Sequence, residues 1–141
     1  MIAGIGIDLV DVVGFREQLA DPASCFAEFV FTAGERRDAT DRPGGDPARH
    51  LAARWAAKEA FVKAWSAALG ESPNPMSSVD FREIEVVSDL RRRPTLTLHG
   101  RTAEAFASLG PVTLHVSLTH DGPCAAAFVT LDRPLETAQW S

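Results

Sequence analysis

Three groups of residues in this chain have types and spacing that could do chemistry. The first is Asp8, set between Ile7 and Leu9 in an apolar run over residues 2–10 that reads as a strand with two glycines. A carboxylate moved from water into such a setting is costly unless a cation or hydrogen bonds meet it. Two readings stand for Asp8: a strand end or solvated edge, or a metal ligand. Asp11 is an odd number of positions further on and falls on the opposite face of a continuing strand. The second group lies on one predicted helix. His50, Arg54 and Lys58 recur every four residues and share a stripe, with Glu59 and Lys63 on an adjacent one. Glu59–Lys63 is also a favourable i,i+4 pair by itself, worth about 0.2–0.5 kcal/mol. Yet Trp55, Phe61, Val62 and Trp65 interleave with these charges, which leaves the helix little plain solvated face. The third group is Ser117-Leu118-Thr119-His120-Asp121. Its hydroxyls, imidazole and turn amides suit a phosphate or ribose, and equally a polar strand end.

The groups are more informative together than apart. Asp8 and Glu59 supply two hard oxygen ligands, the usual protein share of a Mg²⁺ site that phosphates and waters complete. Arg54, Lys58, Lys63 and His120 supply donors for phosphate. That set describes metal-assisted phosphoryl transfer. No GxxxxGKS/T loop, GxGxxG loop or kinase motif is present, which argues against nucleoside triphosphate and dinucleotide chemistry of the usual kinds. Twelve of the fourteen basic residues are arginine, and the two lysines, Lys58 and Lys63, both fall on the same helix.

The elements that must position these residues can be read from caps and periodicity. Residues 15–20 and 24–31 read as short helices separated by Asp21-Pro22. Thr32-Ala33-Gly34-Glu35 has the form of a capping box. Asp46 as N-cap, Pro47 at the first position and Gly70 as stop bracket a long alanine-rich helix over 48–69. Residues 40–46 and 71–78 read as loops. Residues 81–87 and 95–99 read as a hairpin about Arg91-Arg92-Arg93-Pro94, taken as a solvated turn. Residues 101–109 form a short helix. Residues 112–119 and 124–131 form a second hairpin about Asp121-Gly122, and 132–141 a loose tail. The expected fold is one α+β domain over 1–141, a mostly antiparallel sheet packed against one long helix.

Composition bounds the rest. The net charge of −5 makes a general nucleic-acid binder a poor reading while leaving room for a local basic site. Cys25 and Cys124 form no CxxC or Cys/His cluster, so neither a disulfide framework nor a zinc site is expected. No apolar run approaches the ~20 residues of a membrane span, and the opening lacks a basic n-region. The expected setting is cytoplasmic, away from membranes.

The three groups also carry a resemblance. Gly4-Ile5-Gly6-Ile7-Asp8, Phe31-Thr32-Ala33-Gly34-Glu35, Arg54-Trp55-Ala56-Ala57-Lys58-Glu59-Ala60-Phe61-Val62-Lys63-Ala64 and Val116-Ser117-Leu118-Thr119-His120-Asp121 occur in order. They resemble the signatures of the holo-[acyl carrier protein] synthase family, the short bacterial 4′-phosphopantetheinyl transferases. The resemblance implies a 4′-phosphopantetheinyl transferase-like fold. It implies transfer of the 4′-phosphopantetheine of coenzyme A to a serine of an acyl carrier protein, in support of fatty acid or polyketide synthesis. It implies that Asp8 and Glu59 hold Mg²⁺, with Mn²⁺ as an alternative, and that Glu59 is the first candidate for general base. Lys58 and Lys63 would contact phosphates, with Lys63 nearer the transferred one. Arg54 and His120 would lie near the adenosine 3′-phosphate, and Ser117 and Thr119 would line the nucleotide cleft. The family is usually a homotrimer with clefts between subunits. Some members carry a basic residue where this chain has Gly14; Arg16 is then the candidate contact to the carrier. A coenzyme A-binding module without catalysis, a metal-dependent phosphohydrolase and a plain trimeric structural protein are the competing readings.

Overall fold

The computed structural model describes residues 1–73 and 79–135. The strand β1 (Ile2–Asp11) runs directly into the helix α1 (Val12–Ala20). The short helix α2 (Phe26–Val30) and α3 (Ala33–Thr40) precede the long helix α4 (Pro47–Leu69). A single 3₁₀ turn (Phe81–Glu83) leads into the hairpin β2 (Ile84–Ser88) and β3 (Pro94–Leu98). The helix α5 (Gly100–Ala107) and the hairpin β4 (Thr113–Asp121) and β5 (Cys124–Asp132) complete the chain.

The strands form two sheets, β1-β5-β4 and β2-β3, and every pairing is antiparallel. The α+β expectation of an antiparallel sheet against one long helix is met, with the sheet divided in two. The helix α4 crosses β1 and β5 and fills the middle of the molecule. Ala56, Ala57, Ala60, Phe61, Ala64 and Trp65 are fully buried against Val129 and Leu131 of β5 and Ile84 of β2. A second cluster, built on Phe15, Val30 and Phe31, seals the N-terminal half of α4.

Caps fixed the helix starts as the sequence indicates. Asp46 accepts from the Ala48 amide at 3.1 Å, Pro47 opens α4, and Gly70 closes it at φ +58°. Thr32 and Glu35 make both bonds of a capping box. Three differences from the expected boundaries have a clear local cause. The helix α1 begins at Val12 instead of residue 15, because the Asp11 carboxylate accepts from the Gly14 amide at 2.9 Å and outweighs two β-branched residues. Residues 81–83 are 3₁₀ instead of strand, because Asp80 accepts from the Arg82 amide at 2.9 Å. Asp132 is not part of a loose tail. It pairs with Thr113, and its carboxylate holds the Met1 ammonium at 2.6 Å. Residues 74–78 of the expected loop and 136–141 of the expected tail lie outside the described residues.

One contact sets the geometry of everything near Asp8. A Cβ built on Gly4 would overlap the carbonyl oxygen of Ala64, and one on Gly6 would overlap that of Ala60. The backbones of β1 and α4 therefore meet with no side chain between them. Alternation puts Gly4, Gly6 and Asp8 on the same face of β1, so the third residue of that row arrives at α4 beside Lys63. Gly6→Ala should destabilise the fold by about 1–3 kcal/mol, or more if α4 cannot shift. Urea denaturation checks this; an unchanged midpoint would show that the two elements can separate at no cost.

Candidate active site

Lys63 Nζ donates to Asp8 Oδ1 at 2.8 Å and to the Ile7 carbonyl at 3.0 Å. The Asp8 side chain is 13% exposed and that of Lys63 52%. Asp8 is thus neither at a strand end nor on a solvated edge; it faces α4, and a cation meets it. The lysine reaches across to the strand for its ion pair instead of back along the helix to Glu59. Glu59 is half-buried beside them. Burial pushes its carboxyl above the usual glutamate range, the charge of Asp8 pushes it further, and Lys63 opposes both. Two neighbouring carboxylates beside one lysine leave an excess of negative potential. Among the described residues no group of three or more His, Cys, Asp or Glu gathers. A two-carboxylate site of this kind fits a hard divalent cation whose remaining ligands are phosphates and waters, and does not fit an all-protein cage.

The other half of the site is cationic. A cavity of about 170 Å³ is lined by Arg42, His50, Arg54, Arg92, Thr119 and His120 among others, and an adjoining one adds Arg49 and the glycine loop 44–45. Arg54 is almost wholly buried; it donates to the His50 carbonyl at 3.2 Å and pairs with Asp38. Arg42 reaches the same carboxylate at 3.5 Å. The His50 and His120 rings meet edge to face at 6.3 Å. Burial lowers the His50 pKa, and Arg42, Arg54 and His120 lower it further against the opposing charge of Asp38, which favours the neutral ring. The cavity combines permanent guanidinium charge with hydroxyl and imidazole groups, a composition suited to a phosphate on a nucleoside.

Of the expected residues, Arg54, Thr119 and His120 share this cavity, and Asp8, Glu59 and Lys63 share the strand–helix contact. The two halves are not on adjacent stripes of α4. Arg54 and Glu59 are five residues apart, about 140° around the helix at ~100° per residue. Ser117 sits one pair further along the exposed face of β4, opposite Phe128, and does not line the cavity. Arg16 is engaged with Asp46, the N-cap of α4, while remaining half-exposed.

Lys58 is a correction. Its ammonium has no exposed surface and cannot meet a ligand phosphate. Its three donors are spent on the Val30 carbonyl at 2.7 Å, Glu35 Oε2 at 2.8 Å and the Phe81 carbonyl at 2.8 Å. Glu35 is equally committed, accepting from the Thr32 and Val86 amides at 2.9 Å each. Lys58 belongs to the frame of the site. The sequence reading also missed Arg42, His50 and Arg92 as members of one cavity. Arg42 comes from the loop that precedes α4 and Arg92 from the β2–β3 hairpin, and only the stripe through His50 and Arg54 gave a signal.

The fold and site together define a small α+β protein with a carboxylate pair beside one lysine and a separate arginine-lined cavity. Comparison with known proteins narrows the class. The family described as the 4′-phosphopantetheinyl transferase superfamily matches residues 4–129. The holo-[acyl-carrier-protein] synthase of Mycobacterium tuberculosis is 50% identical over 133 residues, 94% of this chain and 98% of that protein. A solved complex of the Chronobacterium ammoniagenes enzyme with coenzyme A has a TM-score of 0.84 at 45% identity, covering 92% of this chain and 96% of that one. The solved acyl carrier protein synthase of Mycobacterium tuberculosis has a TM-score of 0.74 at 46% identity, covering 95% and 100%. The chain belongs to the 4′-phosphopantetheinyl transferase superfamily.

Removing one partner of a buried ion pair leaves the other charge uncompensated. Lys58→Ala should therefore cost about 3–5 kcal/mol of stability. The check is chemical denaturation alongside coenzyme A titration of the folded fraction. Stability equal to wild type, with binding lost, would return Lys58 to the ligand.

Proposed function

We propose that this chain transfers the 4′-phosphopantetheine of coenzyme A to a serine of an apo-acyl carrier protein, in support of fatty acid synthesis. The observation that carries the reading is the convergence of Asp8, Glu59 and Lys63 where β1 meets α4, in a chain so closely related to holo-[acyl-carrier-protein] synthases. In the reaction the serine oxygen bonds to the β-phosphorus of coenzyme A. The bond from that phosphorus to the bridging oxygen breaks, and adenosine 3′,5′-bisphosphate leaves.

Asp8 and Glu59 would hold Mg²⁺, or Mn²⁺ in its place, which supplies Lewis-acid stabilisation of pyrophosphate charge when bound. Lys63 keeps one donor beyond those given to Asp8 and Ile7, and its exposed ammonium would meet the transferred phosphoryl group. Glu59 would take the serine proton at its carboxylate, directly or through one water. Arg54, Thr119 and His120 would hold the nucleotide end and orient the pyrophosphate toward Lys63. Arg16 stays the candidate contact for the acidic carrier, because half of its surface is open.

The separation of the two halves around α4 supports a shared site. A ligand reaching both would be served more directly by the carboxylates of one copy and the arginine cavity of another. The outer face of β1-β5-β4 supports the same reading, because it leaves Ile5, Ile7, Leu9 and Phe128 between 44% and 67% exposed in a contiguous apolar patch. A homotrimer packed through that face would bury it and form the clefts. The reading places the enzyme in the cytoplasm. No helix among the described residues is long and apolar enough to cross a membrane.

Intact mass of an apo-acyl carrier protein, after incubation with the chain, coenzyme A and Mg²⁺, should rise by one phosphopantetheine, and EDTA should prevent it. Asp8→Ala and Glu59→Ala should each abolish the gain while leaving the fold, and wild-type turnover in either would sink the metal-site model. Lys63→Ala should lower turnover more than coenzyme A binding. Ile7→Arg should shift the chain toward monomer in analytical ultracentrifugation; an unchanged assembly would move the interface elsewhere.

A further inference from the structure

The hairpin between β2 and β3 holds a residue in a conformation that its type disfavours. Among the described residues, Arg92 at φ +60° is the only non-glycine with positive φ; the others are Gly44, Gly70, Gly100, Gly110 and Gly122. The loop over residues 89–93 explains the geometry. The Arg92 amide donates to the Asp89 carbonyl at 2.8 Å, and the Asp89 amide donates to the Arg93 carbonyl at 3.0 Å. The Asp89 carboxylate accepts from the Arg91 and Arg93 amides at 2.8 Å each. A turn of this form needs a left-handed residue just before the second strand, where glycine is the unstrained choice. Strain held in this way calls for a compensating use of the side chain.

The use is indicated by where the side chain lies. Arg92 borders the cavity lined by Arg42, His50, Arg54 and His120, and also both adjoining hollows. One carboxylate, Asp38, serves both Arg42 and Arg54. Arg92 has no acidic partner within ion-pair distance among the described residues. Asp89, on its own loop, is taken by Arg93 at 2.7 Å, and Asp41 borders an adjoining hollow without pairing with it. Three guanidiniums therefore share one carboxylate at a concave surface. A phosphate monoester, carrying about −1.5 to −2 at pH 7, matches that excess; a neutral ribose hydroxyl does not.

We propose that Arg92 is a binding residue for the phosphate monoester on the nucleotide end of coenzyme A, and that it favours coenzyme A over the analogue lacking that phosphate. The inference rests on the coenzyme A reading above. It adds a contact from the β2–β3 hairpin, a part of the chain read from sequence as a solvated turn.

Glycine at position 92 relieves the backbone and removes only an exposed side chain, so Arg92→Gly should keep the fold while deleting the guanidinium. Calorimetric titration is done with coenzyme A and with dephospho-coenzyme A, on wild type, Arg92→Gly and Arg91→Gly. The Arg92→Gly variant should melt no lower than wild type and bind coenzyme A on the order of tenfold more weakly. Its affinity for dephospho-coenzyme A should be unchanged, and Arg91→Gly should match wild type with both ligands. Coenzyme A affinity within twofold of wild type in Arg92→Gly would overturn the proposal, as would an equal loss for both ligands. The readout is binding, so failure of carrier modification by a chain that binds coenzyme A would overturn the transferase reading alone.

Discussion

The close approach of β1 to α4 is the constraint on which the rest depends. Gly4 and Gly6 have no side chain to hold the strand away from the carbonyls of Ala60 and Ala64, and the alanines of α4 add no bulk of their own. Two backbones in contact form a stiff unit, because neither can slide without meeting hard atoms. Asp8 continues the glycine row by one step, and Lys63 continues the alanine face by less than one turn. Their contact at 2.8 Å follows from the packing of their small neighbours. A carboxylate in that position would be costly without a cation, and the geometry supplies one.

The second fixed point is the buried pair of Lys58 and Glu35. Each is fully withdrawn from solvent, and their remaining polar groups are met by main-chain partners from α2, α3, the 3₁₀ turn and β2. Burial lowers the Lys58 pKa while Glu35 raises it, and complete satisfaction of the ammonium is what makes an ion pair tolerable there. The pair binds the small N-terminal helices and the β2-β3 sheet to the middle of α4. The arginine cavity takes residues from each of these regions, so its shape relies on that attachment.

The electrostatics of the site are divided along α4. The β1 side carries two carboxylates, with Glu59 raised by burial and then by the charge of Asp8, and the cavity side carries Arg42 and Arg54, which add to the burial that lowers His50. A ligand with a metal-binding pyrophosphate and a separate phosphate monoester matches both ends. The faces lie about 140° apart around the helix. An acidic protein can bind such a polyanion because charge is sorted locally, with the net value of −5 having little bearing on either pocket.

The sequence by itself determined the helices, most strand positions and three of the chemical residues' neighbourhoods. Caps and periodicity are local properties, so Asp46, Pro47, Gly70 and the Thr32–Glu35 box could be read from a few adjacent residues. Asp8, Glu59 and Lys63 stood out because charge in an apolar setting is costly wherever the chain goes. Tertiary structure alone decided the rest. Lys58 and Lys63 are five residues apart and equally basic in sequence, yet one is sealed against three oxygens and the other is half-exposed. Their fates depend on which face of α4 meets α2 and α3, which no local pattern specifies. Arg92 looked like one of three solvated turn arginines. Its left-handed backbone and the distant approach of Arg42 and His120 make it part of a cavity, because convergence across long sequence separations is a property of packing and not of spacing.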